Sequence, residues 1–159
     1  MHKETVRKSI LFFAALIFFA VAAFFSLYEG SQLDDVSWEW QHSAVFTNWL
    51  NGEVTSADHI LAVDYLVYAA KFEPLFPVIM FISGLTLFLQ LAFRVFKARK
   101  TALCVLLLFF AVKLLVFSGM LMASPTDGLQ LFSRIFLGSG IFIMAGCLFW
   151  LIKERKLSH

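Results

Sequence analysis

Four apolar runs, each long enough to cross a bilayer, constrain this chain more than any other feature. The first, Ser9 to Tyr28, holds 20 residues without a charged side chain. A helix rises 1.5 Å per residue, so about 20 residues cross the roughly 30 Å hydrocarbon layer of a membrane. Three further runs follow, Pro74 to Phe96, Thr101 to Ala123 and Leu129 to Ile152, interrupted only by Arg94, Lys113 and Arg134 among charged residues. With 60% apolar residues, twenty phenylalanines and 15% charged residues in 159, a soluble domain would have too little polar surface to cover the remainder. The expectation is an all-α protein: a four-transmembrane-helix antiparallel bundle forming a single integral membrane domain over residues 1–159. Its spans lie at about 9–28, 74–96, 101–123 and 129–152.

Charge supplies the orientation. Ten of the thirteen Lys and Arg lie in three clusters: Lys3, Arg7 and Lys8; Arg94, Lys97, Arg99 and Lys100; Lys153, Arg155 and Lys156. Each cluster abuts an apolar run, which is the positive-inside pattern and not a nucleic-acid footprint. Both termini are therefore expected in the cytoplasm, with residues 29–73 and the Ser124–Gly128 turn outside. The first run also imitates a signal peptide, with Ala20-Val21-Ala22 as a cleavage site. It exceeds the usual 7–15-residue core, and bulky phenylalanines follow the small residues, so a retained helix is expected.

Local signals fit those spans. Pro74 suits a first helical turn, where its missing N–H is no loss. Ser124, Pro125 and Asp127 approximate a capping pattern with Ser124 as N-cap. Ala15, Ala22 and Ser26 share a helical face that admits a close neighbour, and Gly138, Ser139, Gly140 and Gly146 narrow the last span. Cys104 and Cys147 lack CxxC or zinc spacing; they read as free thiols at similar depth.

The outer segment, 29–73, carries three of the four tryptophans and eight of the eleven acidic residues. Ser37 to Leu50 places Trp38, Trp40 and Trp49 among polar residues, an aromatic outer-interface surface. It either lies over the bundle at the headgroup boundary or takes a lipid, quinone or sugar headgroup. Ala57 to Phe72 is expected to form an interfacial or shallow re-entrant helix, with Asp64, Tyr68 and Lys71 on one face and Asp58 and His59 at its start.

Specific chemistry is sparse. His42 and His59 lie near Glu39, Asp58 and Asp64 in sequence, but no HxxxH or HxxE spacing supports a metal site. No span holds a histidine for haem, and nucleophile elbow, phosphate loop and CxxC are absent. No catalytic residue, cofactor or metal is assigned. The costly residue is Lys113, mid-way along the third span, where an ammonium costs at least about 2.5–3.5 kcal/mol. Asp64, Glu73 or Glu29 would have to reach it, and Arg134 either snorkels or pairs with Glu29 or Glu73. Such a network either ties the outer segment to the bundle or lines a polar cavity for a proton, an ion or an anionic headgroup.

Tyr28-Glu29-Gly30-Ser31, Trp38-Glu39-Trp40, and Tyr68-Ala69-Ala70-Lys71-Phe72 with Pro74-Leu75-Phe76-Pro77 together resemble the small uncharacterised Bacillus-type membrane proteins of the YjdJ kind. The resemblance implies a bacterial plasma-membrane protein and brings no activity or site residues. Three functional classes follow. The first is a non-enzymatic partner-binding or envelope-sensing protein acting through the outer segment. The second is a transporter, channel subunit or lipid-binding protein built around Lys113. A membrane redox or transfer enzyme is the third. Expected partners are membrane lipids and another membrane protein or a second copy, not nucleic acid.

Overall fold

The computed structural model describes residues 2–157, with side chains at 3 and from 6 to 152. Its helices are α1 (His2–Gly30), α2 (Trp40–Ser43), α3 (Val45–Asn51), α4 (Ala62–Phe72), α5 (Leu75–Val95), α6 (Lys100–Leu121) and α7 (Asp127–Leu157). Short 3₁₀ turns occupy Ser31–Asp35, Ser37–Glu39 and Ala57–His59. No strand occurs among the described residues, and α1, α5, α6 and α7 supply four stretches long and apolar enough to cross a membrane. The chain divides between Leu89 and Gln90 into two compact units.

In the first unit, α5 runs antiparallel to α1. The Phe25 ring stacks on Phe76 with centroids 4.7 Å apart, and a Cβ on Gly84 would lie 3.2 Å from the Phe19 ring. Helix α5 starts where the Pro74 carbonyl accepts the Val78 N–H at 2.9 Å. Pro77 is then the third helical residue, where no intrahelical donor is missed. Helix α4 comes closer to α1 than any side chain would allow. A Cβ at Gly30 would collide with the Tyr65 carbonyl, so glycine is what lets the two backbones meet. Below it, Ser26, Ala22 and Ala15 are all buried, the small face expected of this helix.

Ala57–Phe72 is not one helix. Ile60 and Leu61 take extended conformations, and α4 begins only at Ala62. Two tertiary contacts outbid the local helical pattern. The Ile60 side chain enters an apolar core, and the Leu61 N–H is donated to Thr47 Oγ1 at 2.9 Å. Asp58 and His59 therefore sit in a 3₁₀ turn ahead of the helix, and the acid in its first turn is Asp64.

The second unit is a helical hairpin. Along α6, Cys104, Ala111 and Ser118 are buried at heptad spacing; along α7, Ser133, Gly140 and Cys147 match them in reverse order. This 3.5-residue seam is that of coiled-coil packing. Each Ser118 and Ser133 hydroxyl donates to the other's backbone carbonyl at 2.8 Å. One heptad on, a Cβ at Gly140 would lie 3.2 Å from the Ala111 carbonyl oxygen and 3.0 Å from Leu115. Small side chains are what let two apolar helices approach this closely. At the turn, the Thr126 carbonyl accepts the first helical N–H of α7, from Gln130 at 3.1 Å, so Thr126 and not Ser124 is the N-cap residue. Ser124 is spent on the turn, its N–H donated to the Leu121 carbonyl at 3.1 Å.

Candidate functional site

The residues between α1 and α5 form a module with its own core. Leu33, Ala44, Ile60 and Tyr68 are buried together, with Trp40, Val54 and Tyr65 packed against them. Trp40 has an N–H that must be satisfied when buried; it donates to the Leu33 carbonyl at 2.8 Å. Asn48 closes the loop beyond α3, its amide nitrogen donating to the Trp40 carbonyl at 2.9 Å and its oxygen accepting the Val54 N–H at 3.1 Å.

The keystone is Asp64, fully buried. Helix α3 is preceded by Ala44 and α4 by Leu61, neither of which has a side chain able to cap. The two helices cap each other instead. Asp64 accepts the N–H groups of Phe46 and Thr47 at 2.8 and 2.9 Å and the Thr47 hydroxyl at 2.6 Å. Thr47 Oγ1 in turn accepts the Leu61 N–H. This is a capping-box exchange made between elements. A carboxylate at the start of α3 also meets the positive end of its peptide dipoles.

A second cluster fixes the other end of α4. The Lys71 ammonium donates to Glu39 Oε2 at 2.9 Å and to the Ser43 hydroxyl at 2.8 Å, while Ser43 donates to the same carboxylate at 2.7 Å. Burial pushes the Glu39 carboxyl up, but the bonds from Lys71 and Ser43 outweigh it and leave the group below its usual range. Lys71 also lies 5.2 Å from the Phe72 ring centroid. The Tyr65 hydroxyl donates to Asp34 at 2.9 Å. Burial and that carboxylate push its phenol up to about 12. For Tyr68, burial and then the nearby Glu39 and Glu73 carboxylates act in the same direction. The face of α4 bearing Asp64, Tyr68 and Lys71 is thus the inward face of the module.

With its polar groups turned inward, α3 is inside-out. Thr47 is buried, whereas Val45, Phe46, Trp49 and Leu50 form a contiguous exposed face. Trp49 is 80% exposed and Trp38 74%, while Trp40 belongs to the packing around the core. The three tryptophans therefore divide into one structural residue and two outward ones.

A family model described as a domain of unknown function, DUF4306, matches residues 9–96. The chain belongs to the DUF4306 family. It is also 30% identical over 89 residues to the uncharacterized protein YjdJ of Bacillus subtilis (strain 168), covering 55% of this chain and 81% of that protein. No solved structure matches. The DUF4306 match takes in the apolar part of α1, the whole inter-span module and α5, and ends before the α6–α7 hairpin.

Outside the module, the remaining charges of this DUF4306 protein are placed as follows. Glu29 is half-buried with one carboxylate oxygen lacking a hydrogen-bond partner, as does the Ser26 hydroxyl one turn earlier. Glu73 is exposed at the α4–α5 junction. Lys113 is exposed on α6 with its ammonium 4.9 Å from the Phe109 ring centroid, one turn away on the same helix. Arg134 is exposed on α7. Ser43, Thr47 and Tyr65, which help hold the module together, carry no motif in the sequence. Once the helix boundaries are known, Ala44 and Leu61 leave two helix starts uncapped within reach of one buried acid.

Proposed function

We propose that this is a non-enzymatic, multi-pass protein of the bacterial plasma membrane that binds another envelope protein through the module between its first two spans. One observation carries the reading: α3 wears Val45, Phe46, Trp49 and Leu50 outward while Thr47 is locked inside. A helix of that polarity hides apolar surface only when something else covers it, and exposed tryptophan is a frequent anchor in protein contacts. The basic clusters beside the spans support cytoplasmic termini, which puts the module outside, where an envelope partner is met. The test is capture of the full chain from native membranes in mild detergent, with mass spectrometry of what is retained. A stoichiometric protein is expected, lost in a Trp49→Ala, Leu50→Ala variant that still inserts. Retention of lipid alone, or of the chain's own copies alone, contradicts it.

A second reading, a transporter subunit or lipid-binding protein, is favoured by Lys113. Its ammonium has an aromatic ring of its own helix as neighbour within an otherwise uncharged span. Such an ion seeks an anionic group or a polar pathway. An anionic lipid or self-oligomer in the same capture supports this reading over the first.

A further inference from the structure

We infer that Cys104 and Cys147 form an intramembrane dithiol site, oxidised to a disulfide by a lipid-soluble quinone. The hairpin presents three facing layers of small residues one heptad apart, and the cysteines are the third. The first layer sets the spacing: a serine hydroxyl reaches the opposite backbone carbonyl from both sides. In the second, a Cβ on Gly140 would lie only 3.2 Å from the Ala111 carbonyl oxygen. A disulfide needs about 4.4–6.8 Å between Cα atoms, and small facing residues are what permit helices so close an approach. The third layer keeps the register, since Cys104 and Cys147 lie seven residues beyond Ala111 and Gly140 along the same seam. Both are free thiols and both are buried on this seam. Just beyond them, Lys100 lies 6.0 Å from the Trp150 ring, so the register holds to the end of the hairpin.

The surroundings select the oxidant. The cysteines are 4% and 3% exposed, and the side chains flanking them outward are Val105, Leu148 and Phe149. Both lie inside stretches apolar enough to cross a membrane. The outward surface flanking the pair is hydrocarbon, which a hydrophobic electron acceptor dissolved in the bilayer reaches directly. The balance is complete with a quinone. Two S–H bonds break and one S–S bond forms, and two electrons and two protons pass to the quinone, which leaves as the hydroquinone. The product joins α6 to α7 by a neutral, apolar staple at the end opposite their connecting turn.

The test uses the full chain in vesicles of phosphatidylethanolamine and phosphatidylglycerol. They are exposed to duroquinone, whose ring carbons are all substituted and so resist thiol addition. The protein is then denatured and labelled with a maleimide-bearing polyethylene glycol. Labelling is expected to fall from two thiols to none, with an intact-mass loss of two hydrogens and recovery on reduction. Cys104→Ser is expected to keep its one label and to stay monomeric. Two labels remaining after duroquinone overturns the site. Loss of label through cross-linked dimers overturns the intramolecular pair. Oxidation by glutathione disulfide at an equal or greater rate overturns the lipid-borne oxidant.

Discussion

Asp64 is a buried carboxylate held by N–H and O–H donors instead of a cation, and that explains why its role is hard to see in sequence. It lies 17 and 18 residues from its partners Thr47 and Phe46, and reading their contact requires knowing that Ala44 and Leu61 cannot cap. Asp64→Asn keeps the shape but turns an amide N–H₂ toward donors. With hydrogen bonds to charged groups worth about 1.5–3 kcal/mol each, the variant is expected to lose about 2–4 kcal/mol of module stability. Denaturant unfolding followed by tryptophan fluorescence measures it; a wild-type midpoint would mean that Asp64 does not hold the two helices. The titrating pairs bracket the pH range. Glu39 is lowered in the folded state, so its contribution is present above the ordinary carboxylate value of 4.5 and is lost as pH falls through the lower folded value. Tyr65 is raised, so its contribution is complete below pH 10.0 and is lost as pH rises through about 12. Module unfolding is therefore expected to become easier at both extremes. Glu39→Gln should flatten the acid limb and Tyr65→Phe the alkaline limb; limbs unchanged in these variants would assign the pH dependence elsewhere.

At the scale of elements, the four apolar helices were legible because length and uncharged composition are properties of a run, independent of packing. The small face of α1 was legible too, since Ala15, Ala22 and Ser26 announce it by spacing alone and are all buried. The module was not. Its helix boundaries are set by contacts between elements: Ile60 and Leu61 give up helical geometry for the core and for Thr47. Gly30 gave no local sign that α4 would pass against it. Gly30→Ala sets a methyl against the Tyr65 carbonyl, and overpacking of this kind costs about 1–3 kcal/mol. The expected result is an α4 displaced from α1 and faster proteolysis between residues 31 and 73 in membrane-embedded protein. Protection equal to wild type would show that the two backbones do not meet at Gly30.

At the scale of the whole molecule, sequence and structure give complementary halves. Basic clusters are the sequence's argument for orientation, while the structure shows what lies between the first two apolar helices: a module whose charged face is consumed internally and whose apolar face is left over. Sequence alone offered Asp64, Glu73 or Glu29 as a partner for Lys113; in the structure the Asp64 oxygens accept from Phe46 and Thr47. The apolar surface that the module leaves uncovered includes that of α3. The central claim is that this face meets a protein. Its most direct test places a photo-crosslinking amino acid at residue 49 in the full chain, in living cells, with the same group at the exposed residue 53 as control. The account predicts one discrete protein adduct from position 49 and none from position 53. Adducts to lipid alone at position 49, or the same adduct from both positions, would contradict it.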